Sequence, residues 1–448
     1  MSRLIERIRR VLDEEQAETR SDPGLQRKQR LAELRRAIQR VETRTRPVEK
    51  KRVQPIQRFA LPKADLEGHV CLAARDLQSD DELGIRYPSV YAPEHAFGTT
   101  QLPLPTSPFL NAATRFMRLQ DDTCFNAEPA LRAHEIAFID TETTGLSRAA
   151  GTLAFLVGIG RYDAKGDGTF HVTQLLLRDP SVETHLLREL ARQLEGVRLL
   201  VSFNGRGFDI PLLRNRALLS RTPLSLNLPH LDLLPHSRRI MRHRLDNCRL
   251  GTLERNLLGF ERIGDIDGAE APQIYSEFLR HGRWNRLSQI MKHNRLDILL
   301  MAPLLGEMLN RVLEPLKFAE DAEELRASGV YLLKCGQWLM GESCLRRAAD
   351  MPSNPVTKSR TLTALARHLR RRGDTKAASS VWRRFRDEFP GENTGYEELA
   401  KYHEHITGEL SEALAWAESA PDSDQVAIQH RLIRLRRRIR RNVQPMAQ

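Results

Sequence analysis

The sequence predicts an α/β domain followed by an all-helical region, and three observations carry that expectation. Short apolar, β-branched runs alternate with amphipathic helical stretches between about residues 133 and 318. Carboxylates recur at the ends of those elements, where a purely structural strand or helix has little use for them. From about Glu323 onward the pattern turns to helical pairs with a glycine between partners. A chain of 448 residues is too long for one ordinary core, so two or three domains are expected. The net charge of +12, with arginine dominating lysine, favours a polyanionic partner. Five cysteines, an odd number without a Cys-x-x-Cys pair, argue against a disulfide framework or zinc ribbon and for a reducing compartment. Charge from Arg3 onward leaves no signal-peptide core, and no apolar run reaches membrane-spanning length, so a cytoplasmic protein without a membrane partner is expected.

In chain order, residues 1–58 read as a basic, helical or flexible segment. Leu4, Ile5, Ile8, Val11 and Leu12, then Leu31, Leu34, Ile38 and Val41, follow helical spacing, interrupted at Ser21-Asp22-Pro23-Gly24. A solvated helical hairpin and a nucleic-acid arm both fit. Residues 59–132 read as a β-rich lead-in with long loops, in which His95-Ala96-Phe97-Gly98 is the one site-like stretch and a packed loop histidine its plain explanation.

The organising strand is Ile136-Ala137-Phe138-Ile139, which runs into Asp140-Thr141-Glu142-Thr143-Thr144-Gly145-Leu146. Side chains two apart on a strand share a face, so Asp140 and Glu142 present four oxygens to one small volume. A divalent cation is the simplest way to keep both ionised. Thr152 to Tyr162 and Phe170 to Leu177 follow as a hairpin around a glycine-rich turn. Pro180 and Ser181 open an amphipathic helix that returns the chain, through Leu199 to Phe203, to a strand parallel to the first. That strand leads into Asn204-Gly205-Arg206-Gly207-Phe208-Asp209, with Asp209 at a helix start, where the helix dipole supports a carboxylate. Much later His293 and Asp297, four apart, share one helical face as a base-and-ligand pair.

Asp-x-Glu, Asn-x-x-x-Phe-Asp and His-x-x-x-Asp, in that order, resemble the three motifs of the DEDD exonuclease superfamily, whose catalytic domains are ribonuclease H-like. Asp232-Leu233-Leu234, the arginine run to Arg244, Gly264-Asp265-Ile266-Asp267-Gly268 and His293 to Asp297 look like its bacterial YprB-like branch. The resemblance covers about Ala133 to Leu313. It implies a three-layer ribonuclease H-like domain over 133–318 and a metal-dependent 3′–5′ exonuclease acting on single-stranded DNA or RNA. Two magnesium or manganese ions would be held by Asp140, Glu142, Asp209 and Asp297, with His293 as base or water-orienting group. The superfamily's histidine branch places its His five residues before the Asp; here the separation is four. Thr143, Thr144 and Leu146 resemble residues that meet the terminal nucleotide, and Asn204 and Phe208 resemble residues that steady the strand. Arg238, Arg239 and Arg242 suit backbone phosphates, or else a solvated helix face.

The glycines of Leu332-Leu333-Lys334-Cys335-Gly336, Leu369-Arg370-Arg371-Arg372-Gly373 and His405-Ile406-Thr407-Gly408 lie near the tetratricopeptide period. Residues 319–420 therefore resemble two or three degenerate tetratricopeptide repeats, a scaffold suited to a protein partner. Arg431, Arg434, Arg436, Arg437, Arg438, Arg440 and Arg441 make residues 421–448 a basic helix or tail suited to nucleic acid. Two other readings stay open: a catalytically silent nucleic-acid- or protein-binding scaffold, and a structure-selective endonuclease on the same fold.

Overall fold

Six strands form one mixed sheet in the computed structural model, which describes residues 86–92, 96–97, 100–103, 105–118, 130–145, 151–422 and 426–443. The 1–58 segment, most of 59–132, and Leu146, His95 and Gly98 lie outside the described residues. The strands are β1 (Arg86–Tyr91), β4 (Ile136–Thr143), β5 (Ala154–Tyr162), β6 (Phe170–Leu176), β7 (Leu199–Ser202) and β8 (His230–Asp232). Among the described residues two short strands, β2 (Ala96–Phe97) and β3 (Thr100–Gln101), pair with each other in a separate two-stranded sheet. The sheet order is β1-β6-β5-β4-β7-β8. β4, β5 and β6 form an antiparallel meander, and β7 and β8 add on in parallel. The lead-in region contributes β1, which runs antiparallel to β6 and completes that edge.

The parallel pairing of β4 with β7 requires a crossover, and helix α2 (Glu183–Gln193) supplies it. Alternation along β4 feeds two cores. Ile136 and Phe138 pack with helices α1 (Ser107–Arg118) and α4 (Leu233–Met241) and the C-terminal half of α6 (Trp284–Leu313). Ala137 and Ile139 pack on the other side with α2, α3 (Asp209–Leu219) and α5 (Ala271–His281). Helices thus cover both faces of the sheet, the three-layer α/β arrangement expected from the sequence.

Helix α6, 30 residues and therefore about 45 Å long at the usual rise, crosses the sheet closely because β5 carries glycine at two successive positions of one face. A Cβ on Gly158 would stand 2.5 Å from Asn294 Oδ1, and one on Gly160 2.6 Å from Ile298 Cγ2. Any side chain there would lift the helix off the strand.

The C-terminal region is wholly helical among the described residues: α7 (Ala322–Lys334), α8 (Trp338–Asp350), α9 (Pro355–Arg371), α10 (Thr375–Glu388), α11 (Asn393–Tyr402), α12 (Leu410–Glu418) and α13 (Val426–Val443), each packed on the next. Gly336, Gly373 and Gly408 take φ of +74°, +85° and +76° at the turns within the first three pairs, a conformation that favours glycine. The arginine-rich end is the docked helix α13, whose Ile428, Leu432 and Leu435 are buried against α12. His243 and Arg244, at the end of the arginine run, are engaged with the start of this region. His243 lies 3.0 Å from Asp321, and Arg244 bonds Glu320 at 2.7 Å and Glu324 at 3.3 Å. Among the described residues Cys248, Cys335 and Cys344 form no disulfide, and no described helix is long and apolar enough to cross a membrane.

Candidate active site

One row across the sheet organises the site. Asp140 of β4 lies opposite Gly158 of β5, which lies opposite Gln174 of β6. Asn294 of α6 stands over that row: its Nδ2 donates to Asp140 Oδ2 at 2.9 Å and its Oδ1 accepts from Gln174 Nε2 at 2.9 Å. Gln174 also donates to the Met291 carbonyl at 2.7 Å and accepts from Arg295 Nε at 3.2 Å, both within the helix that carries Asn294. Helix and strand are thereby fixed in register, which places His293 and Asp297, one residue before and three after Asn294, beside Asp140 and Glu142.

Asp209 reaches the same place from β7. The turn after that strand has Asn204 at φ +70°, and Asp232 holds it by accepting from the backbone N–H of Asn204 at 2.8 Å and of Arg206 at 3.1 Å. Asp232 also caps α4 through Leu234 N at 3.1 Å, so one carboxylate ties two strand ends together. Gly205 leaves room for Asp209, since a Cβ there would sit 3.1 Å from Asp209 Oδ2. Asp209 is the first residue of α3 and accepts a short hydrogen bond from the Thr141 hydroxyl.

Four carboxylates gathered this way perturb one another. Burial, then repulsion from Asp297, Asp209 and Glu142, pushes the Asp140 carboxyl well above its usual range, against the Asn294 hydrogen bond. Burial also raises Glu142 to about 8, opposed by His293, and Asp209 to about 6, opposed by Thr141. His293 shows the reverse balance. Burial disfavours its charged form, but the hydrogen bond from Nδ1 to Asp265 Oδ2 at 2.8 Å and the nearby Asp297 outweigh it and raise it to about 9. Asp265 falls to about 2, because His293 and Arg262 outweigh its burial. With Nδ1 occupied by Asp265, the other ring nitrogen, Nε2, faces Asp297 Oδ2 at 3.6 Å.

Arg262 is a neighbour that motif reading missed. Its guanidinium bonds Glu254 at 2.6 and 2.7 Å, Asp265 at 3.0 Å and Asp297 Oδ1 at 2.5 Å. Glu254 is fully buried on a π-turn (Glu254–Leu258), and burial raises its carboxyl to about 7 against the pull of Arg262. Asp265 belongs to the Gly-Asp-Ile-Asp-Gly stretch and Asn294 follows His293, so both had a local signal. Glu254 and Arg262 had none.

The remaining residues singled out in the sequence divide by position. Thr144 Oγ1 accepts from Leu153 N at 2.9 Å and Thr143 Oγ1 donates to Gly145 O at 2.8 Å, closing the loop beside the site. Asn204 is exposed and Phe208 half-buried at the N-terminus of α3. Arg238, Arg239 and Arg242 are exposed on and just after α4, with the Arg239 guanidinium 4.5 Å from the Tyr331 ring centroid.

Among the described residues no three His, Cys, Asp or Glu side chains stand in a ready metal-holding arrangement. The donors are already engaged: Asp297 by Arg262, Asp140 by Asn294 and Asp209 by Thr141. The chemistry of the set nevertheless fits a hard divalent cation. It offers only carboxylate oxygens, and their burial and mutual repulsion are what such an ion relieves.

Fold and site together define a ribonuclease H-like α/β domain with an acidic centre at the strand ends. Residues 137–309 match the family model described as the RNase_H superfamily, which points to metal-dependent hydrolysis of nucleic acid. The chain is also 28% identical over 293 residues to a protein of Bacillus subtilis (strain 168) called uncharacterized protein YprB, covering 64% of this chain and 69% of that one.

Proposed function

We propose that the chain is a metal-dependent exonuclease of the DEDD type, removing nucleotides from the 3′ end of DNA or RNA. The observation that supports this most is the convergence of Asp140, Glu142, Asp209 and Asp297, from one strand end and two helices, into one mutually repelling cluster. Such a cluster costs stability and has no structural purpose without a cation. Asp140, Glu142, Asp209 and Asp297 would hold magnesium or manganese, two ions in the superfamily's pattern; bound there, the metal stabilises charge on the attacking and leaving oxygens. His293 acts through Nε2, the nitrogen left by its bond to Asp265, to orient the attacking water; it would deprotonate that water only once a cation held by Asp297 offsets the negative charge that keeps the ring protonated. Asp265 fixes the ring, and Arg262 holds Asp265 and Asp297 in place. Asn294 positions Asp140, while Asp232 sets the turn that delivers Asp209. Arg238, Arg239 and Arg242 supply phosphate contacts along the strand, and Thr143 and Thr144 shape the loop against the terminal nucleotide. The helical pairs of 319–420 form tetratricopeptide-like repeats that offer a surface to a protein partner.

The test uses single-stranded DNA, duplex DNA and RNA oligonucleotides labelled at either end, with magnesium or a chelator. The expected result is stepwise shortening from the 3′ end with metal and none with chelator or in Asp140→Ala. Internal cuts of a circular strand would replace this reading with an endonuclease. Tight binding with no hydrolysis under any metal would replace it with a silent scaffold.

A further inference from the structure

The helical region contains a cavity of about 320 Å³ that shares no residue with the acidic centre, within the size range of small-ligand pockets. Its floor is apolar: the half-buried Tyr402 at the end of α11 and the exposed Ile406 just after that helix line it together with Trp382 and Ala378 of α10, which are almost fully buried. Its rim is cationic, formed by Arg370 of α9, Lys401 of α11, and Arg431 and Arg434 of α13.

Those cations outnumber their internal partners. Glu404 is buried and shared by three guanidiniums: Arg431 at 2.7 Å, Arg434 at 2.8 Å and Arg438 at 3.0 Å. Glu398 is shared by Arg370 at 2.6 Å and Lys401 at 2.7 Å, and Lys401 also lies 3.6 Å from Glu397. The four lining cations Arg370, Lys401, Arg431 and Arg434 thus share two carboxylates, Glu398 in the lining and the buried Glu404, which leaves an excess of positive charge at the pocket. Arg370 and Arg434 remain about half exposed and keep guanidinium N–H groups available for an incoming anion.

We propose that this pocket binds one nucleotide unit of a single nucleic-acid strand, with the base against the half-buried Tyr402 and the phosphate between Arg370 and Arg434. Aromatic floors take bases of any sequence by stacking, and guanidinium forks match phosphate oxygens in pairs. An acidic peptide would satisfy the rim but leave Tyr402 and Ile406 without an apolar partner. The pocket would hold strand at a point separate from the acidic centre. The inference concerns binding alone and stands on the pocket's own chemistry, whether or not the acidic centre hydrolyses nucleic acid.

The test is a titration of the full chain with thymidine 5′-monophosphate in chelator, which silences any hydrolysis, followed by tryptophan emission. Saturable quenching is expected. It should vanish in Trp382→Phe, which keeps an aromatic ring in the core, and weaken on the order of tenfold in the Arg370→Gln/Arg434→Gln double variant. Circular dichroism of both variants checks that the helices remain. A fluorescein-labelled oligothymidylate should then bind the double variant with a salt dependence shallower by about two phosphate contacts. No quenching at millimolar nucleotide, or equal affinity in the double variant, overturns the proposal. Equal competition by an oligoglutamate peptide overturns it in favour of an acidic protein segment.

Discussion

Arg262→Met removes the cation that links the buried Glu254 to the acidic centre while keeping most of the side chain's bulk. The guanidinium makes two bonds to Glu254 and one each to Asp265 and Asp297, and Glu254 has no exposed surface. Removing one partner of a buried ion pair typically costs about 3–5 kcal/mol, because the other charge is left unpaired. Glu254 can escape part of that cost by taking up a proton, since burial already holds its carboxyl at about 7. Without Arg262 it rises further above its unfolded value. The folded state then binds more protons than the unfolded one over a wider range, so stability falls as pH rises through the new folded value. Urea unfolding should show the larger loss at about pH 8 and a smaller one at about pH 6. Adding Glu254→Gln removes the stranded charge and should recover much of the loss. Magnesium should raise the variant's melting temperature more than the wild type's, because Asp297 Oδ1 is released to a metal ion. An unchanged unfolding midpoint, or a double variant no more stable than the single one, would refute this account of the cluster.

Gly158→Ala should cost about 1–3 kcal/mol and lower activity as well, because its Cβ meets Asn294 and Ile298 and displaces the helix that carries His293 and Asp297; chemical denaturation and turnover together read this. His236 is buried between Phe116 and Tyr331, with burial lowering it to about 3, and burial likewise lowers His230 to about 4. Both are neutral when folded and protonate on unfolding below their usual range, so stability should fall as pH drops from about 6.5, by up to about 1.4 kcal/mol per pH unit for each group. His236→Phe should flatten that acid limb in melting curves, and an unchanged limb would count against a buried neutral His236. His293→Ala should depress turnover severely with metal affinity nearly intact, whereas Asp297→Ala should lose both. Equal rates for wild type and His293→Ala across neutral pH at saturating manganese would remove His293 from proton transfer.

What the sequence made legible was whatever is written in local periodicity. The alternation of Ile136 to Ile139, the helical crossover to Leu199 and the four-residue step from His293 to Asp297 each encode an element and the face it presents. Partnerships across the chain left no such trace. Arg262 meets Asp297 through a loop and a π-turn, and nothing near either residue names the other. Arg244, at the end of the arginine run, pairs with Glu320 and Glu324, which lie far along the chain and become neighbours only when α7 docks. Gly158 and Gly160 read as ordinary strand residues, although glycines two apart on one face already signal a close backbone approach. The basic end hid a packed helix because its arginines mask the spacing of Ile428, Leu432 and Leu435. β1 lay in a region without clear periodicity, and its pairing with β6 emerges only from the register.

The central claim is that the four acids converge in order to hold a divalent cation. Calorimetric titration of manganese into the wild-type chain and into Asp140→Asn tests it directly, without substrate or turnover. The account expects saturable binding in the wild type and its loss or severe weakening in the variant, whose removed charge the other three acids no longer share. Absence of binding at millimolar metal with all four acids intact, or identical isotherms for the two proteins, would contradict it.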